Sequence, residues 1–127
     1  MTIEIRIDPF PPQAEFAELW LSGWGQELSG PMPDWSISLF HLGAYDGGRL
    51  VGYLNVATDG GGHAFLLDPT VHNDFQRGGL GTRLVKRAIE ICRERGIHAL
   101  HVDYEERLDE FYRGCGFEPT KAGLIRL

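Results

Sequence analysis

The chain has 127 residues, enough for one compact domain (1–127) and too few for two. Its 43% hydrophobic and 24% charged residues exclude a disordered, collagen-like or disulfide-dense polypeptide. Twelve Lys and Arg against eighteen Asp and Glu leave a net charge of −6, which excludes a general nucleic-acid binder, since no positive excess displaces phosphate counterions. The first residues lack a basic-then-apolar leader, and no apolar run approaches the roughly 18 residues of a membrane span. Cys92 and Cys115 make a poor disulfide framework. A cytoplasmic protein with no membrane or nucleic-acid partner is expected.

Ile3, Ile5 and Ile7 alternate with Glu4, Arg6 and Asp8, predicting a half-buried strand over 3–8, ended by Pro9, Pro11 and Pro12. Phe16, Leu19 and Trp20 recur at helical spacing, predicting a helix from Gln13 to about Gly23. Residues 24–36 read as an irregular loop with at most a short helix. Three strands follow over about 37–45, 49–58 and 63–72, separated by Asp46-Gly47-Gly48 and Asp59-Gly60-Gly61-Gly62. Such turns favour hairpins because they supply positive φ. Residues 79–95 carry Leu80, Leu84, Val85, Ala88, Ile89, Ile91 and Cys92 on one half of a helix, and Gly96 stops it. A strand at about 98–104, a short helix around 107–114 and a last strand near 117–127 complete the prediction. The order implies an α/β (α+β) fold, with a mixed, mostly antiparallel central sheet and flanking helices.

The stretch Val71-His72-Asn73-Asp74-Phe75-Gln76-Arg77-Gly78-Gly79-Leu80-Gly81-Thr82 joins a strand to the clearest helix through three glycines. A helix start leaves its first N–H groups unpaired, and with the helix dipole these make an anion site suited to phosphate. Six of the twelve basic residues (Arg77, Arg83, Lys86, Arg87, Arg93 and Arg95) fall within 77–95, although a solvated basic face would look the same. No Gly-Lys-Ser/Thr follows, so a P-loop is excluded. A dinucleotide fingerprint fails at its third glycine, where Leu84 stands.

Gln76-Arg77-Gly78-Gly79-Leu80-Gly81 resembles the Q/R-x-x-G-x-G/A pyrophosphate loop of the GNAT family of acetyl-CoA-dependent N-acetyltransferases. About 30 residues on, Phe111-Tyr112-Arg113-Gly114-Cys115-Gly116-Phe117 resembles that family's F/L-Y-x-x-x-G-F segment. The likeness covers residues 37–127 well and 1–36 only through the order of elements. Where the family often has Asn and Ala ahead of the tyrosine, this chain has Glu105 and Leu108.

The resemblance implies the GNAT-like acyl-CoA N-acyltransferase fold and acetyl-CoA as co-substrate; no metal is expected, since His98 and His101 are not spaced as paired ligands and no Cys/His cluster matches a zinc pattern. It implies pyrophosphate held by backbone N–H groups over Arg77, Gly78, Gly79, Leu80, Gly81 and Thr82, with Gln76 and Arg77 at the mouth and possible added charge from Arg77 or Arg83. Pantetheine would run between the fourth and fifth strands, with a backbone N–H near Val71 polarising the thioester carbonyl. Tyr112 matches the tyrosine that protonates the departing thiolate, and a phenol stays protonated at neutral pH. Asp68 sits where relatives often carry an acidic residue facing the acceptor. Asp68-Pro69 is read with equal weight as a plain turn, and His41, His72, His101 and Glu105 are reserve bases. The acceptor is expected to be a small-molecule or peptide amine, and the chain a monomer or homodimer. The alternative is a non-catalytic CoA- or acyl-CoA-binding regulatory module.

Overall fold

The computed structural model describes residues 2–127. The elements run β1 (Ile3–Ile7), α1 (Gln13–Trp24), β2 (Phe40–Asp46), β3 (Arg49–Thr58), β4 (His63–Val71), α2 (Leu80–Glu94), β5 (Ala99–His101) and α3 (Asp109–Gly114). Single 3₁₀ turns at Trp35–Ile37, Asn73–Phe75 and Glu106–Leu108 precede β2, α2 and α3. The five strands form one sheet in the order β1-β2-β3-β4-β5. Neighbours are antiparallel except β4 and β5, which run parallel because α2 crosses over between them.

Each face of the sheet has its own core. On one side α2 buries Leu80, Leu84, Val85, Ala88, Ile91 and Cys92 against Phe40, Leu42, Val51, Leu54, Val56, Ala64 and Leu66. The period of 3.6 thus meets the period of 2 on a continuous apolar surface. On the other side α1 buries Phe16 and Leu19 in a smaller, aromatic cluster with Trp35, Tyr45, Leu50 and Tyr53. At the end of α1, a Cβ on Gly23 would lie 2.6 Å from Thr70 Cγ2 and 3.1 Å from the Val71 carbonyl oxygen. Only glycine permits this approach of helix to strand. No described helix is long and apolar enough to cross a membrane.

Two expectations are corrected. The strand expected over 98–104 shrinks to Ala99–His101, which pairs only with His63, Ala64 and Phe65. The strand expected over 117–127 does not form. Residues 118–127 are exposed, with Leu124 and Ile125 at 65% and 82%. Pro119 and Gly123 break any alternation there, and a three-residue β5 offers little edge to pair with.

Candidate active site

β4 and β5 are joined over three residues and then part, while β4 continues to Val71. The divergence begins before a bulge. Leu67 pairs with Asn55 and Thr70 with Tyr53, so Asp68 and Pro69 are spanned by Leu54 alone on β3. Asp68 takes φ 52°, a left-handed conformation that Asp tolerates better than most residues. Strand N–H groups alternate in direction. That of His72 donates to the Val51 carbonyl at 2.8 Å, so that of Val71 points to the side β5 has left.

The loop after β4 leads into α2 through two left-handed residues, Arg77 at φ 67° and the N-cap Gly79 at φ 85°. The first ladder bond of the helix runs from the Arg83 N–H to the Gly79 carbonyl, at 3.0 Å. Among the described residues, the N–H groups of Leu80, Gly81 and Thr82 have no acceptor, which is what an anion at this helix start requires. A Cβ on Gly81 would sit 3.6 Å from the Phe111 ring and 3.8 Å from Val71, so the helix start, the end of β4 and α3 meet at one point. Gln76, expected free at the mouth, donates its amide to the Val71 carbonyl at 3.0 Å and holds the loop closed.

The basic stretch is only partly available. Arg83 donates to the Ile3 carbonyl at 3.0 Å, Arg95 to the Leu39 carbonyl at 2.8 Å, and Arg87 pairs with Glu90. Arg83 and Arg95 fasten α2 to the scaffold and Arg87 is paired within the helix, whereas Arg77, Lys86 and Arg93 form no ion pair among the described residues. A cleft of about 450 Å³ opens on the β1 side of the loop, lined by Ile3, Arg49, Phe75, Gln76, Gly78 and Arg83 among others. It includes neither Tyr112 nor Asp68, so this cleft does not locate the chemistry.

Tyr112 is 4% exposed on α3, stacked on Tyr104 at 4.6 Å and edge-on to Phe111 and Phe117. Burial is the main reason its phenol is pushed up to about 12, with the fields of Cys115, Asp103 and Tyr104 adding to it. Its hydroxyl has no hydrogen-bond partner among the described residues and is not sealed from solvent. Cys115 is buried and its thiol is pushed up by that burial, which makes it packing rather than a nucleophile.

Asp68 keeps solvent contact, yet the surrounding protein raises its carboxyl above the ordinary range by desolvation. The reserve bases are engaged elsewhere. His41 is fully buried, stacks on Trp35 and accepts the Phe10 N–H at 2.9 Å. In His72, Nδ1 accepts from the Asp74 N–H at 3.1 Å while Nε2 lies 3.0 Å from Arg49. His101 pairs with His63 at 2.7 Å, and Glu105 with Arg107 at 3.0 Å. Among these candidates, the Asp68 side chain alone makes no hydrogen bond or ion pair with a described residue.

The two catalytic candidates belong to opposite faces. Tyr112 packs in the core under α2, while Asp68 acts electrostatically on Tyr53, in the cluster under α1. Several polar contacts near Asp68 had no local signal in the sequence. The Trp24 indole donates to Thr70 Oγ1 at 2.8 Å, and the Trp35 indole to the Tyr53 hydroxyl at 2.8 Å. Asn55 is 8% exposed, and its Oδ1 has no partner among the described residues. These pairings span 18 to 46 residues in the chain, beyond the reach of any periodicity.

A stretch of 76 residues, 60% of this chain, is 35% identical to the uncharacterized N-acetyltransferase ycf52 of Porphyra purpurea. Another of 59 residues, 46% of this chain, is 37% identical to a probable glucosamine 6-phosphate N-acetyltransferase of Oryza sativa. These matches span 44% and 36% of the relatives' own lengths. Among solved structures, an acetyltransferase of Trypanosoma brucei superposes with a TM-score of 0.82 over 99% of both chains at 22% identity. A GNAT-family acetyltransferase of Streptococcus pneumoniae does so with 0.78, over 99% of this chain and 98% of its own, at 25% identity. The acetyltransferase (GNAT) family model matches residues 3–117. Its span takes in both the loop at 76–82 and Tyr112, and the chain belongs to that family.

Proposed function

We propose that this protein is an N-acetyltransferase that moves the acetyl group of acetyl-CoA to a primary amine by direct attack. The observation that carries this reading is the opening between β4 and β5, with unpaired N–H donors at its mouth and Tyr112 beside it. The residues present fit acetyl-CoA. The N–H groups over 77–82 would hold its pyrophosphate, Gly79 keeps the loop open, and the bare side of β4 would receive its pantetheine. When bound, acetyl-CoA supplies an activated thioester carbonyl.

The Val71 N–H polarises that carbonyl, and a fixed donor aimed at developing charge is worth several kcal/mol in the transition state. An acceptor with a lysine-like pKa arrives as an ammonium and must lose a proton before attack. Asp68 takes it. Its raised carboxyl is a stronger base than an ordinary aspartate. Tyr112 stays protonated across the working range and offers its O–H to the departing sulfur. The acceptor is read as a small-molecule or peptide amine met in the cytoplasm.

Two measurements test this. Acetyl-CoA at 100 times its Kd should stabilise the chain by about 2.7 kcal/mol in a thermal-shift assay. No response to acetyl-CoA, with a response to NAD, overturns the reading. Tyr112→Phe should lower turnover by about 100-fold or more and leave acetyl-CoA affinity within about twofold. Unchanged turnover removes Tyr112 from the mechanism.

A further inference from the structure

The α1 side of the sheet is not fully covered. Ala64 and Leu66 point into the core under α2, so His63, Phe65 and Leu67 lie on the other face of β4. Cross-strand register puts Asn55 beside Leu67, Ala57 beside Phe65, and Phe65 beside His101 on β5. The end of α1 is fastened farther along, where Trp24 bonds Thr70 and the Asn73 N–H donates to Ser22 at 2.9 Å. Phe65 and Leu67 are therefore left 39% and 38% exposed. His101 lies flat on Phe65, with ring centres 4.8 Å apart and planes at 22°, and its bond to His63 fixes it there. This is an apolar shelf with small Ala57 at its middle, and its near end is Asp68.

We infer that this shelf carries the body of the acceptor, and that the acceptor is an amine with a flat apolar body of the arylethylamine type, its ammonium at Asp68. The inference rests on the proposed function and specifies its substrate class. Charge chooses the occupant. Among the strands the Lys and Arg side chains are Arg6 on β1 and Arg49 at the start of β3, both off the shelf, and the shelf's own His63 and His101 are bonded to each other. Asp68 supplies the complementary charge for an ammonium, and the bulge at φ 52° sets it at the edge of the strand opening. Spacing agrees. Leu67 and Phe65 precede Asp68 by one and three residues, roughly 3 and 10 Å along the strand. An aromatic ring two carbons from its nitrogen falls between them.

The test compares 2-phenylethylamine, glucosamine 6-phosphate and spermidine as acceptors, with acetyl-CoA binding followed in parallel by thermal shift. The expected result is a kcat/KM at least tenfold higher for 2-phenylethylamine than for either other amine. Leu67→Ser, a change at a partly exposed position, should raise the KM for 2-phenylethylamine by about tenfold and leave the KM for acetyl-CoA within twofold. Phe65→Ser should act in the same direction, and retained acetyl-CoA binding shows that both variants are folded. Equal or better use of glucosamine 6-phosphate or spermidine overturns the inference and leaves the acetyltransferase reading intact. So does acetyl-CoA binding without acetylation of 2-phenylethylamine, or an unchanged KM in both shelf variants. Failure to bind acetyl-CoA overturns the proposed function itself.

Discussion

The two faces of the sheet are built on different principles. Under α2 the surface is a closed apolar core in which each helix position meets a strand position, and the backbone N–H groups proposed to hold the cofactor project from it at the helix start. Under α1 the surface is aromatic and interrupted by polar side chains, among them His41, Asn55, Thr70 and the Tyr53 hydroxyl, and it leaves a shelf uncovered. A ligand common to a whole family can be held by backbone geometry, which tolerates changes of side chain. A ligand particular to one member must be read by side chains, which cannot be packed as tightly without closing the site.

The largest effect that would sharpen this contrast is on stability. Leu84, 1% exposed at the centre of the α2 face, should cost about 2–5 kcal/mol when changed to Ala, measured by chemical denaturation. A loss under about 1 kcal/mol would mean that this face is not the one that holds the fold. Next comes Thr70→Val, which removes the acceptor for the Trp24 indole and the hydroxyl's own bond to the Asp68 carbonyl. A cost of about 1 kcal/mol is expected. If α1 alone is loosened, 2-phenylethylamine turnover should suffer more than acetyl-CoA binding, and an equal loss of both would break the division between faces.

The smallest effect has a sign that discriminates. Asp68 has a folded-state pKa above its unfolded value, so its contribution to stability is full at acid pH and is lost as pH rises through the raised value. Asp68→Asn, which keeps a residue that tolerates the left-handed backbone, should therefore melt above the parent protein at pH 7. The gap should close as pH falls below the ordinary carboxylate range. A variant that melts lower at pH 7 would show that Asp68 is held by favourable partners and is not poised as a base. The same variant should lose turnover, so stability and activity move in opposite directions if Asp68 has the role proposed.

Much of the fold was legible in local pattern. The isoleucine alternation predicted β1, the two Asp-Gly-Gly turns predicted the meander, and the apolar half of 79–95 predicted α2 within one residue at each end. At Asp68-Pro69, read from the sequence as either a plain turn or an acceptor-facing acid, the register shows a bulge. Less legible were features that depend on what lies alongside. The length of β5 is set by where β4 turns away, and the failure of 117–127 to form a strand by the lack of an edge to join. Gln76 and Arg83 looked like ligand contacts by position, yet the fold uses both to fasten the loop and α2.

The sequence by itself determined the order of elements, the phosphate-type loop ahead of α2 and the tyrosine that follows it. The first two rest on backbone rules that act over a few residues: glycine at positive φ, unpaired donors at a helix start, and periodic apolar side chains; the tyrosine rests on the resemblance of residues 111–117 to a family segment. Only the tertiary structure decided that a bulge sets Asp68 where β4 leaves β5, that the competing histidines are already bonded, and that Phe65, Leu67 and His101 share one open shelf. Those facts depend on strand register and on which face each helix covers, and neither is encoded in any single stretch of the chain.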